Sequence, residues 1–187
     1  MKRLAKVLVF LVAFVAVLIV CFPKEEAGSF VMSVAAKMLS PRGIRIEYSD
    51  VKGAPGGITV NNLKLSGGVN VRFREVMFRP EFAGSILGLA PQCYVEFKGC
   101  SVQVGTVLTL GDGHVMVRAR MDEIELEDLR TNGELGINGS LAVSPSTQKI
   151  THASARVNVP EALEPHMGLL QSLLPLVQDN GRWYLRR

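Results

Sequence analysis

The sequence predicts a mainly β protein: an N-terminal single transmembrane helix and a short amphipathic helix, then an antiparallel curved β-sheet or β-jellyroll-like periplasmic domain. Three observations carry that prediction. Three basic residues (Lys2, Arg3, Lys6) precede an uncharged apolar run from Val7 to Phe22. The apolar period falls from 3.6 to 2 after Ile44. Turn-forming Gly, Pro, Asn and Asp clusters then recur between short apolar stretches.

Val7 to Phe22 makes roughly 24 Å of helix, and about 28 Å if the stretch starts at Leu4 with Lys6 reaching back to the headgroups. A bilayer core of about 30 Å is slightly longer. A cleaved secretory signal fits poorly, because Lys24, Glu25 and Glu26 separate the run from the small residue Ala27. Leu18 to Cys21 resembles a lipobox, but Val20 is bulky where a small residue is needed. The reading is an uncleaved anchor: residues 1–6 cytoplasmic, 7–22 spanning, 23–43 juxtamembrane, and 44–187 a β domain beyond a bacterial inner membrane, oriented by its basic end.

The chain carries 21 basic and 17 acidic residues, or +4. Without Lys2, Arg3 and Lys6 the balance is 18 against 17, so the basic character is mostly topogenic. A nearly neutral folded part with few aromatics excludes a nucleic-acid binder.

Ser29 to Leu39 reads as a helix, with Ser29 as N-cap, Phe30, Val31, Val34, Ala35, Met38 and Leu39 as its apolar side, and Pro41 and Gly43 as its stop. It rests either on the outer leaflet or on the following domain. Strands are expected at 44–51, 58–65, 69–78, 92–97, 100–110, 114–121, 123–126, 133–143 and 149–159. Turns are expected at Gly53 to Gly57, Ser66-Gly67-Gly68, Lys98-Gly99, Gly111-Asp112-Gly113, Asn132-Gly133 and Ser144-Pro145-Ser146. In 69–78 the apolar parity changes between Phe73 and Val76, which calls for a bulge near Arg74-Glu75. Ile124 and Leu126 face opposite to Glu123, Glu125 and Glu127, a solvated row. Glu81 to Leu89 suits a crossover. Pro165 to Leu174 suits a second helix with Met167, Leu170 and Leu174 on one stripe, and Asp179-Asn180-Gly181 leads into a last strand bearing Trp183.

A Lys98-Gly99 hairpin would set Cys93 opposite Val104 and Phe97 opposite Cys100, so the two cysteines read as small buried hydrophobes ahead of a disulfide. No nucleophile, base or metal cage is recognisable. His114, His152 and His166 lie on different elements, and Gly111-Asp112-Gly113-His114 is explained as a turn and a strand start. Asn138-Gly139-Ser140 reads as turn or strand residues. The sequence therefore predicts no enzyme, no catalytic residue, no metal and no cofactor, and leaves function to surfaces. Ile124, Leu126, Met167, Leu170, Leu174 and Trp183 are the candidate partner or lipid surface.

The anchor ending in Phe22-Pro23, Gly43-Ile44-Arg45-Ile46, the strand Gly57 to Leu65, the crossover into Tyr94-Val95-Glu96-Phe97-Lys98-Gly99, Ile124 to Leu129 and Gly136 to Leu141 together resemble the type II secretion system protein N family, in the wider AsmA-like periplasmic group. The resemblance covers most of the chain and implies a non-enzymatic, single-pass inner-membrane accessory component whose partners are other secretion-system proteins and the membrane, with no cofactor. Proteins of that family continue past the equivalent of Trp183 to Arg187 with another Gly-rich strand, whereas this sequence stops. Either a sheet edge is left open for a partner strand or the fold ends there. The alternative is a periplasmic lipid or lipopolysaccharide carrier with an open apolar β-groove, similar in plan to a lipopolysaccharide-export component. A filled core favours the first reading and a continuous apolar trough the second.

Overall fold

The computed structural model describes residues 24–67, 69–81, 85, 90–104, 106–120, 122–144, 147, 149–160, 167, 171, 175–179 and 182–186. The expected membrane span at 7–22, Cys21, the crossover residues Phe82, Ile86 and Leu89, His166, Leu170 and Leu174 lie outside them. Among the described residues no helix is long and apolar enough to cross a membrane.

The first element is a helix, α1 (Lys24–Leu39). It begins five residues before the expected Ser29 cap, with Glu25 and Glu26 in its first turn and Lys37 in its last, each complementing the helix dipole. A 3₁₀ turn, Ser40–Arg42, and Gly43 at φ 74° close it. The Gly43 N–H donates to the Ser40 carbonyl at 3.0 Å and the Ile44 N–H to the Leu39 carbonyl at 3.2 Å.

Among the described residues eleven strands follow: β1 (Arg45–Glu47), β2 (Asp50–Ala54), β3 (Gly57–Ser66), β4 (Asn70–Pro80), β5 (Gln92–Val104), β6 (Thr106–Ala119), β7 (Ile124–Thr131), β8 (Gly136–Ser144), β9 (Lys149–Asn158), β10 (Leu176–Asp179) and β11 (Arg182–Arg186). They form one antiparallel sheet, β1-β3-β4-β5-β6-β7-β8-β9-β11-β10, with β2 also on β3. Spatial neighbours are mostly sequence neighbours. This is a meander, whereas a jellyroll would need non-sequential neighbours in two sheets.

Two expected turns are instead inside long strands. Lys98-Gly99 lies within β5 and Gly111-Asp112-Gly113 within β6, while the β5–β6 hairpin closes where Val104 pairs with Thr106. Glycines with positive φ serve a hairpin or a bulge equally well, and here Gly99 (φ 61°) and Gly111 (φ 71°) make bulges. Asp128 (φ 49°) on β7 does the same, whereas Asn62 (φ 51°) bends β3 without shifting its register. At Asn62, Gly99 and Asp128 the apolar parity slips: Val60 to Leu63, Phe97 to Cys100 and Leu126 to Leu129 are steps of three that keep both strand halves facing inward. The parity change in β4 has this origin. Its register against β3 and β5 is unbroken, so the strand bends together with its neighbours opposite Asn62 and Gly99 instead of carrying the expected bulge at Arg74-Glu75.

Three other differences concern element boundaries. The expected strand at 44–51 divides into β1 and β2 around Tyr48-Ser49, where the Ser49 N–H donates to the Asn61 carbonyl at 3.0 Å. β7 runs on to Thr131, because Asp128 takes up the extra residue. β10, not foreseen, pairs with β11 through Leu176 to Leu185 and Asp179 to Arg182.

The core has two lobes. One gathers Met32, Val60, Leu63, Val76, Val95, Phe97, Cys100 and Val115. The other gathers Leu108, Leu135, Ala153, Ala155, Val157, Met167, Leu176 and Leu185. Leu110 packs against both.

Candidate functional site

Among the described residues the inner face is lined by apolar side chains. Cys93 and Cys100 are unpaired thiols on one strand, with Cys93 beside Pro80 and Val117 and Cys100 beside Gly111. Seven residues of extended chain separate them by roughly 23 Å, far beyond disulfide reach. Burial raises both thiols, Cys100 to about 12. Among the described residues no group of three or more His, Cys, Asp or Glu could hold a metal ion.

The acid and base of Gly111-Asp112-Gly113-His114 serve the bend. The Asp112 carboxylate accepts the Gly99 N–H at 2.8 Å, and the Asp112 N–H donates to the Asn132 side chain at 2.8 Å, which ties β5, β6 and the β7–β8 turn together. His114 lies 3.4 Å from Asp128 and stacks near Tyr94. Asn138-Gly139-Ser140 is part of β8.

On the outer face the charges divide by region. Among the described residues every ion pair falls between Glu47 and Arg130. Lys64 pairs with Glu47 at 3.2 Å, Lys98 with Glu75 at 2.9 Å, and Arg79 with Glu96 at 3.2 Å. The glutamate row of β7 is neutralised from β6, with Arg118 at 3.3 Å from Glu125 and 2.9 Å from Glu127, and Arg120 at 3.3 Å from Glu125. The Glu75 carboxylate, through its hydrogen bond, holds Lys98 above the usual lysine value.

Beyond Arg130 the pattern stops. Lys149, Arg156, Arg182 and Arg186 are exposed and have no acidic partner among the described residues. Arg156 stands between Asn138 of β8 and Tyr184 of β11, and the Arg186 guanidinium lies 4.9 Å over the Tyr184 ring. Beside Arg156 opens a cleft of about 490 Å³ lined by Thr131, Asn132, Asn138, Asn158 and neighbouring glycines. The sheet edge here is stepped. β11 pairs only with Ser154 to Val157 of β9, so the stretch Lys149 to Ala153 has no strand on its outer side among the described residues. Val177 on the last strand, β10, is 46% exposed.

A family model described as type II secretion system protein GspN-like, Synergistales, matches residues 1–187, the full length of the chain. The chain belongs to this GspN-like family. No curated protein and no solved structure matches it. The family association is with type II secretion, and the strand-rich architecture is its scaffold here.

The residues singled out from the sequence are distributed as follows. Met167 is 2% exposed inside the second core lobe, and Trp183 packs half-buried against that lobe with its indole Nε1 buried and unpartnered. Leu126 packs against the first lobe, and Ile124 is half-buried between Ala119 and Val143. The structure gathers these four along the inner side of the sheet. Arg156, Tyr184 and Val177 were missed. Their signal was the exposed bases of β9 and β11, of which only Arg182 has an acidic residue, Asp179, at its cross-strand position, and this becomes visible only once strand pairing is known.

Proposed function

We propose that this protein is an accessory component of a type II secretion system, held at the inner membrane by residues 7–22 with residues 44–187 in the periplasm, and that it acts through protein contacts and not through catalysis. The family match along the whole chain carries the secretion role. A kinship to the AsmA-like periplasmic proteins is part of the same proposal, supported by the long run of antiparallel strands.

The contact surface is the stepped edge of β9, β11 and β10. A partner strand can hydrogen-bond along Lys149 to Ala153 or β10, and acidic side chains on it can meet Arg156, Arg182 and Arg186. The opposite edge is blunted, since β1 and β2 are short, interrupted at Tyr48-Ser49, and carry Lys52 in an ion pair with Asp50. Protein contact is favoured over lipid carriage by the two packed lobes, whose central residues such as Val60, Val76, Cys100, Ala153 and Leu185 are less than 10% exposed, with partly buried apolar residues packed around them. An acyl chain needs an open apolar trough.

Photoreactive residues at Thr151 and Val177 in native membranes test the reading. Adducts containing other secretion-system proteins are expected at both. Lipid adducts alone at these positions would overturn it.

A further inference from the structure

Helix α1 has more apolar surface than the domain covers. At about 100° per residue its side chains fall into three sectors. Gly28 and Met32 are buried, and Ala35, Ala36 and Leu39 beside them are half-buried, on the side that packs on β2 and β3. The fit is close, because a Cβ on Gly28 would stand 2.6 Å from Val51 Cγ1. Glu26, Ser29, Ser33 and Lys37 form an exposed polar sector. Between these two sectors lies a third, Ala27, Phe30, Val31 and Val34, in which Phe30 is 70%, Val31 56% and Val34 37% exposed. Three of the six exposed large hydrophobics among the described residues are on this one stripe.

From this arrangement we infer that α1 lies along the outer leaflet of the anchoring membrane, with Phe30, Val31 and Val34 inserted among the upper acyl chains, the Gly28-Met32 side gripping the domain, and the Ser33-Lys37 side at the headgroups. This rests on the reading of residues 7–22 as a membrane span. Phe30 sits seven residues past Pro23, about 10 Å of helix, so the stripe cannot leave the vicinity of the bilayer. The apolar run is also some Å shorter than a bilayer core, and a short span draws the residues that follow it toward the interface. A helix with an apolar stripe and a flanking charged side is the kind that beds roughly 5–10 Å into the headgroup and acyl boundary. The domain is thereby held at a fixed height and orientation above the membrane, which a single flexible tether could not do.

The chain has one tryptophan, Trp183, so a reporter is easily placed. The full chain carrying Trp183→Phe and Phe30→Trp is reconstituted into phosphatidylcholine and phosphatidylglycerol vesicles with bromines on the upper acyl chains. Residue 30 at the boundary depth should lose on the order of half its emission, and a Ser33→Trp reporter on the polar sector only a small part of that. Val34→Trp serves as an independent site should the first variant misfold. Equal, weak quenching at 30, 33 and 34 while the chain floats with the vesicles would overturn the inference and leave the anchor standing. A blue-shifted but unquenched residue 30, meaning cover by a second copy, would overturn it as well. A chain that fails to float after an alkaline wash sinks the anchor itself, and the inference with it.

Discussion

The two ends of the sheet are stabilised differently. From β1 to β6 the core is built of large side chains, with Phe73 and Phe97 in edge-to-face contact at 5.7 Å, Val60 fully buried and Met32 of α1 laid on top. Outside, that end is laced by ion pairs. From β8 to β11 the central strand β9 offers small residues, Ala153, Ala155 and Val157, and the larger Leu176, Leu185 and Met167 pack with them. Outside, that end leaves its bases without ion pairs among the described residues and its edge stepped. One end satisfies its own groups and binds the helix, while the other presents groups that an external partner can satisfy. The contrast is a division between an end that satisfies itself and an end that is open to a partner.

The sharpest way to break this comparison is Phe97→Ala, which opens a cavity in the first lobe and should cost about 3–5 kcal/mol. Trp183 sits in the other lobe, so its emission during denaturant unfolding tells whether the lobes unfold together. A lower midpoint seen equally by Trp183 fluorescence and far-ultraviolet circular dichroism is expected, since Leu110 joins the lobes. An unmoved Trp183 transition would mean that the ends are independent units.

Next in size is Gly28→Val. The added side chain collides with Val51 and Ile58, and the helix should be pushed off the sheet at about 1–3 kcal/mol, read as faster proteolysis within α1 and a lower midpoint.

Cys100 sharpens the comparison by pH. Its folded thiol titrates near 12, above the value of about 9 for an exposed one, because burial disfavours the thiolate. The stabilisation from this is fully present below about pH 9 and is lost as pH rises toward 12. Alkylation at pH 8 should leave Cys100 unmodified in the folded protein, and Cys100→Ala should flatten the alkaline fall in stability.

The smallest effect on folding is expected from Arg156→Glu, within about 0.5 kcal/mol, because this exposed side chain has no ion-pair partner among the described residues. Its effect on crosslinking at Thr151 and Val177 should be large. Unchanged crosslinking would move the contact surface elsewhere.

Most strands were legible in the sequence because alternation over Gly57 to Ser66 or Lys149 to Asn158 reports a half-buried sheet directly. Lys98-Gly99 and Gly111-Asp112-Gly113 misled because a glycine reports only that positive φ is wanted, and a bulge and a hairpin both want it. The surface residues were less legible than the strands. Apolar side chains such as Leu126 and Met167 suggest contact surfaces as readily as core, and only packing separates the two.

The sequence by itself determined a mainly β chain, the alternation that gives the sheet an inner side, and the resemblance to a secretion family, all of which depend on local pattern. The tertiary structure decided which glycines bend strands and which residues stay exposed. It alone showed that α1 buries one apolar side and leaves a second, because the choice among faces of a helix is made by the surface it meets.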